Sequence, residues 1–175
     1  MKDTINKFLD LQSIEHVLID PKTIIFRYEF LEKCQMNYCG RYNKSWSCPP
    51  AIGDVLKIQD YVLSFSKAYL YQMVFPLEDS YDYESMEKGR NEIMAETLAL
   101  NSLLLETKDI FCILSAGSCQ VCKDCTYPDK PCRFPEKMLF SMESLGIDVA
   151  VLAREYGMKY YHGPLTITYF SICFF

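Results

Sequence analysis

The chain has 175 residues, 50% hydrophobic and 23% charged, which excludes a disordered polypeptide and is long enough to bury a real core. Its formal net charge of −5, with no Lys/Arg-rich run, argues against a nucleic-acid or anionic-membrane partner. Met1 to Leu11 has no continuous apolar stretch, and no apolar run reaches the ~18 residues of a membrane span. Neither an export signal nor a bilayer segment is therefore expected, and a single domain over residues 1–175 in the cytoplasm is the starting expectation.

Asp3 to Leu11 places Ile5, Phe8, Leu9 and Leu11 on one side of a short amphipathic helix. Glu15 to Asp20 reads as a strand ended by Asp20-Pro21; His16 in it is expected to be a surface residue, not a ligand. Thr23 to Leu31 alternates Ile24, Phe26, Tyr28 and Phe30 against Ile25, Arg27 and Glu29, which predicts a second strand and a hairpin with the first. Gly53 to Phe65 should be a helix capped by Asp54, with Val55, Ile58, Val62 and Phe65 as its apolar stripe. Lys67 to Leu77 predicts a strand stopped at Pro76. Ser80 to Thr107 is the longest helical pattern; Gly89 should weaken, delay or bend it, and its charged first half reads as a solvated face. Ile110 to Ser115 is a buried strand. Ser141 to Leu145 predicts one helical turn ended by Gly146, and Asp148 an N-cap for a helix stopped at Gly157. Lys159 to His162 reads as a short strand, and Leu165 to Phe175 as a longer one. Together these predict an α+β fold, an α/β sandwich with a single central sheet of about five strands and helices packed on it.

Two stretches do not fit that scaffold. Gly117 to Pro135, GSCQVCKDCTYPDKPCRFP, is long, irregular and poor in core-forming residues. Such loops are uncommon in compact domains unless something orders them, and metal ligation does so by supplying folding free energy. It carries Cys119, Cys122 and Cys125 at C-x2-C-x2-C spacing, then Cys132. The second stretch, CQMNYCGRYNKSWSCPP, holds Cys34, Cys39 and Cys48, the only tryptophan, Trp46, and the pair Pro49-Pro50.

Nine cysteines are an odd count in a chain expected inside the cell, where thiols stay reduced. A complete disulfide framework is thus disfavoured. Cys112 and Cys173 sit in apolar runs, IFCIL and SICFF, and read as buried hydrophobes. The other seven point to metal. The two histidines, His16 and His162, lie outside both loops, which counts against mixed Cys/His zinc sites. Zinc ribbons bring together two separate C-x2-C knuckles, whereas here the two units share Cys122. Three thiolates on one short loop suit a cubane, and bacterial ferredoxins carry that triplet. The six-residue gap to Cys132 departs from the ferredoxin run, in which the gap is three. A [4Fe–4S] centre on Cys119, Cys122, Cys125 and Cys132 is the favoured expectation, with all-cysteine zinc as the alternative. Cys34, Cys39 and Cys48 remain for a second cluster with an open iron, or for a loop that folds over the first.

The strings C-x4-C-G-x-Y-x3-W-x-C-P-P (Cys34 to Pro50), G-x-C-x2-C-x2-C-T-Y-P-x2-P-C-R-F-P (Gly117 to Pro135) and S-M-E-S-L-G-I-D-V (Ser141 to Val149) resemble the predicted metal-binding proteins of domain-of-unknown-function family 2284. The resemblance runs from about Cys34 to the C-terminal TYF segment. It implies a cysteine-rich, prokaryotic metal-binding protein without a settled activity. It also implies that Cys34, Cys39, Cys48, Cys119, Cys122, Cys125 and Cys132 form the functional set, with Cys112 and Cys173 outside it. Three functions follow as expectations: an electron-transfer or redox accessory protein that docks with a redox partner protein; an enzyme using an open iron, with Arg41, Tyr42, Arg133 or Glu143 nearby; or a zinc-stapled interaction module.

Overall fold

The computed structural model describes every residue from Met1 to Phe175. One open sheet of five strands has the order β1-β2-β5-β3-β4: β1 (Glu15–Ile19), β2 (Ala68–Pro76), β3 (Cys112–Ser115), β4 (Phe140–Ser141) and β5 (Thr166–Phe174). The pairs β1–β2, β2–β5 and β3–β5 are antiparallel, and β3–β4 is parallel. With the helices around it, this is an α+β fold. No helix is long and apolar enough to cross a membrane.

Alternation along the strands puts an apolar set on each face. Leu70, Leu114 and Ile172 join one core, beneath α3 (Val55–Leu63) and α5 (Val149–Glu155). Tyr69, Tyr71, Ile113 and Cys173 join the other, beneath α1 (Lys2–Leu11) and α4 (Tyr83–Leu105). Cys173 is fully buried, and Cys112, half-buried, packs against the first core. Burial pushes the Cys112 thiol up to about 12, so both strand cysteines behave as hydrophobes. The two expected caps are present, with Asp54 accepting the Leu56 N–H and Asp148 the Val151 N–H; Asp82, which the sequence reading did not single out, caps α4 by accepting the Ser85 N–H. The turn Glu143–Leu145 is a 3₁₀ helix closed by Gly146 at φ 76°. His16, expected at the surface, is largely buried instead: it bonds the Ile14 carbonyl at 2.8 Å and lies edge-on to Tyr69.

Three expectations are corrected. Thr23 to Leu31 is not a strand, and no hairpin forms with β1. A 3₁₀ turn at Pro21–Thr23, capped by Asp20, redirects the chain. Residues 24–27 stay extended but pair elsewhere: Arg27 N–H donates to the Gly146 carbonyl at 2.7 Å, and Asp148 N–H to the Ile25 carbonyl at 2.9 Å. Tyr28–Gln35 then forms helix α2, so the alternation spanned an extended segment and a helix, not one element. Lys159 to His162 is not a strand either; these residues lie in the irregular connection between α5 and β5. Gly89 does not bend α4 but lets it sit close on the sheet, because a Cβ there would lie 2.6 Å from the Phe75 ring.

Candidate metal centres

The four-cysteine stretch leaves the end of β3 and returns as the parallel edge strand β4. The other cysteine stretch links α2 to α3, with Cys34 in the last turn of α2. Side chains clasp the two together. Trp46 Nε1 donates to the Lys130 carbonyl at 3.0 Å, and its ring meets Tyr127 edge-on at 4.9 Å. Tyr127 hydroxyl donates to Asn43 Oδ1 at 2.7 Å. Cys119 N–H donates to the buried Ser47 hydroxyl at 3.0 Å.

Joined in this way, the loops still keep their cysteines in two groups. Cys119, Cys122, Cys125 and Cys132 surround a narrow gap of about 30 Å³ together with Trp46, Arg133 and Phe134. Cys34, Cys39 and Cys48 line a separate cavity of about 530 Å³, beneath α4 and the Gly117 turn. Electrostatics respects the same division. Cys34 and Cys39 raise the Cys48 thiol, whereas Cys132 and Cys122 raise Cys119.

The sulfur environments differ. At Cys125 burial works to raise the thiol, but the N–H groups of Tyr127, Trp46 and Thr126 and the Ser45 hydroxyl outweigh it. They hold Cys125 below its ordinary value and favour the thiolate. Burial raises Cys119, opposed by the N–H groups of Leu139 and Val121. Arg133 Nη1 donates to the Asp124 carbonyl at 2.8 Å and Thr126 to the Pro131 carbonyl at 2.8 Å, so the loop ties its own turns. In the larger cavity, burial pushes Cys48 up to about 11, only partly offset by the Ser47 hydroxyl and Arg41. Burial likewise raises Cys34, with Cys39 and Glu143 adding to it. Glu143 is open to water inside the cavity yet surrounded by protein, and that burial pushes its carboxyl up. Arg41 and Tyr42 also line the cavity, while Arg133 belongs to the gap.

Two buried serines stand between the groups. Ser45 and Ser47 hydroxyls are 3.0 Å apart; Ser47 lies 3.9 Å from Cys48 Sγ, and Ser45 bonds Cys125. Sequence reasoning took Ser45 and Ser47 for turn formers, and the seryl spacing S-x-S offers no signal beyond that. Arg90, which reaches the cavity from α4, falls in the charged half-helix assigned to solvent.

Four thiols around one gap, two of them met by backbone N–H groups, fit an iron–sulfur cluster, whose sulfurs are held and tuned by such bonds. No three His, Cys, Asp or Glu side chains converge closely enough to hold a single ion.

By fold and donor set, then, this is an α+β protein with two cysteine-lined recesses suited to soft metal centres. The chain belongs to a family described as predicted metal-binding proteins, DUF2284, whose model matches residues 17–175. No curated protein and no solved structure matches it.

Proposed function

We propose that this is an iron–sulfur protein in which Cys119, Cys122, Cys125 and Cys132 hold a [4Fe–4S] cluster that transfers electrons, as a redox accessory to a partner protein. The observation that carries this reading is the narrow gap shared by those four thiols, with backbone N–H groups acting on Cys119 and Cys125. Bound there, the cluster supplies one-electron chemistry at a potential set by its surroundings. The chain's own residues favour the thiolate at Cys125 through three backbone N–H groups and Ser45, while at Cys119 two backbone N–H groups oppose the rise that burial causes. Trp46, packed edge-on against Tyr127, lines the gap, and so does Arg133, placed to offset negative charge.

A second reading has its own support. Cys34, Cys39 and Cys48 face a cavity of about 530 Å³, room that a site built only to carry electrons does not need. Three thiolates leave one position of a cluster open to a ligand, which makes this end the candidate for an enzyme. Optical and paramagnetic spectra of anaerobically purified protein test both readings. Broad sulfur-to-iron absorption is expected, and a colourless protein with zinc alone would return the fold to a stapled interaction module. Perturbation of one of two cluster signals by cyanide is expected from the second reading; two signals indifferent to it would overturn that reading.

A further inference from the structure

A polar path joins the two recesses from inside. Ser45 and Ser47 are both buried, and their hydroxyl oxygens lie 3.0 Å apart. Ser45 lines the four-cysteine gap and bonds Cys125. Ser47 Oγ lies 3.9 Å from the sulfur of Cys48, which lines the larger cavity. Cys125 is exposed and Cys48 is buried, so the path runs from the surface inward. A backbone donor fixes each oxygen: the Cys119 N–H gives to Ser47 at 3.0 Å, and the Ser47 N–H gives to Ser45 at 3.3 Å. The oxygens are therefore held in place while their hydrogens are free to turn.

Hydrogen counting makes this path a two-state element. Each hydroxyl has one hydrogen to donate. Three contacts call for one: Ser45 to Cys125, Ser47 to Cys48, and one seryl oxygen to the other. With Ser47 giving to Ser45 and Ser45 to Cys125, the Cys48 sulfur goes without. With Ser45 giving to Ser47 and Ser47 to Cys48, the Cys125 sulfur loses its hydroxyl. Turning both hydrogens toward sulfur leaves two electronegative oxygens 3.0 Å apart with no hydrogen between them, which carries an electrostatic penalty. A donor is worth more to a sulfur that bears more negative charge. An electron added at one end thus draws both hydroxyls toward that end and takes one from the other. Both ends bias the same element, which is the physical requirement for coupling between sites.

We propose that Ser45 and Ser47 are the link through which the four-cysteine centre supplies electrons to the cavity. This rests on the reading of two clusters. The donor is a reduced one-electron carrier protein. Its electron reduces an iron of the four-cysteine cluster from ferric to ferrous, then one of the three-cysteine cluster as the first returns to ferric. The hydroxyls reorient with the charge, and no proton leaves them. The test is a redox titration of anaerobically purified protein followed by paramagnetic resonance, in preparations whose iron and sulfide are measured. The two signals are assigned with Cys122→Ser and Cys39→Ser. In Ser45→Ala, Ser47 has only Cys48 left to donate to, and Cys125 has lost its hydroxyl. The three-cysteine midpoint should rise and the four-cysteine midpoint fall, each by about tenfold in its reduction equilibrium, ~59 mV for one electron. Ser45→Thr, which keeps the hydroxyl, should hold both near wild type. Midpoints that stay put in Ser45→Ala, or move in the same direction, would overturn the proposal. In wild-type protein freeze-quenched after less than one equivalent of dithionite, the four-cysteine signal should come first and decay as the other grows. The three-cysteine signal first, or both together, would overturn the supply role. About four irons per chain would remove the two-cluster reading and the link with it, whereas about eight with unmoved midpoints would remove the link alone.

Discussion

The two cysteine regions use the same donor atom and differ in what surrounds it. Around Cys119, Cys122, Cys125 and Cys132 the space is small and backbone N–H groups point at sulfur. Around Cys34, Cys39 and Cys48 the space is large, and burial without comparable N–H donors raises Cys48 to about 11. Cys48 is thus hard to ionise, whereas Cys125 in the gap is eased toward the thiolate. In the first region, the loop has bonds of its own through Thr126, Arg133, Trp46 and Tyr127. A narrow recess suits electron transfer, and a roomy one suits a ligand.

The comparison breaks most directly if the groups are not independent. Cys122→Ser should remove the four-cysteine cluster and Cys39→Ser the other, each losing about four irons while the remaining centre keeps its spectrum. Loss of all iron from either variant would mean one shared centre. The strand cysteines are the control: Cys112→Ser should leave iron content unchanged, whatever it does to stability.

A second effect concerns the scaffold beneath the cavity. Gly146 turns the chain at φ 76°, and a Cβ would lie 2.8 Å from the Arg27 carbonyl. Gly146→Ala should cost about 2 kcal/mol or more in denaturant unfolding, from the left-handed backbone and the clash together. A change within a few tenths of a kcal/mol would show that this turn does not anchor α2.

Ser47 sharpens the comparison because it touches both regions. Ser47→Ala strands the Cys119 N–H and removes the hydroxyl near Cys48, which should destabilise by about 1–3 kcal/mol. Both cluster potentials should move, and a shift confined to one would limit Ser47 to that side.

The smallest effect is one of pH. Burial works to raise the Asp148 carboxyl, but Arg27, the Val151 N–H and Arg154 outweigh it and hold it below the ordinary aspartate value. The folded state thus favours the ionised form. The resulting stability is fully present above the ordinary aspartate pKa and is lost as pH falls through the lowered folded value. Asp148→Asn should flatten that acid limb of the stability curve, and an unchanged limb would remove the Arg27 pair from the account.

Much of the scaffold was legible because each signal was local. Asp54 and Asp148 cap the helices that follow them, and Gly146 closes the predicted turn. The cysteine sets were legible as motifs. Their meeting was not, because it rests on Trp46, Lys130, Tyr127 and Asn43, residues ~84 apart in the chain that carry no periodic signal. Thr23 to Leu31 misled because extended residues 24–27 pair with residues 146–148, a partner only the tertiary fold supplies. Arg90 escaped notice because a charged helix face reads the same whether it meets water or a cavity.

The central claim is two separate sulfur-ligated centres, and iron with acid-labile sulfide per chain, measured on anaerobically purified protein, tests it most directly. The account predicts about eight of each. About four of each, undiminished in Cys39→Ser, would reduce the protein to a single cluster, and zinc without sulfide would contradict the redox account altogether.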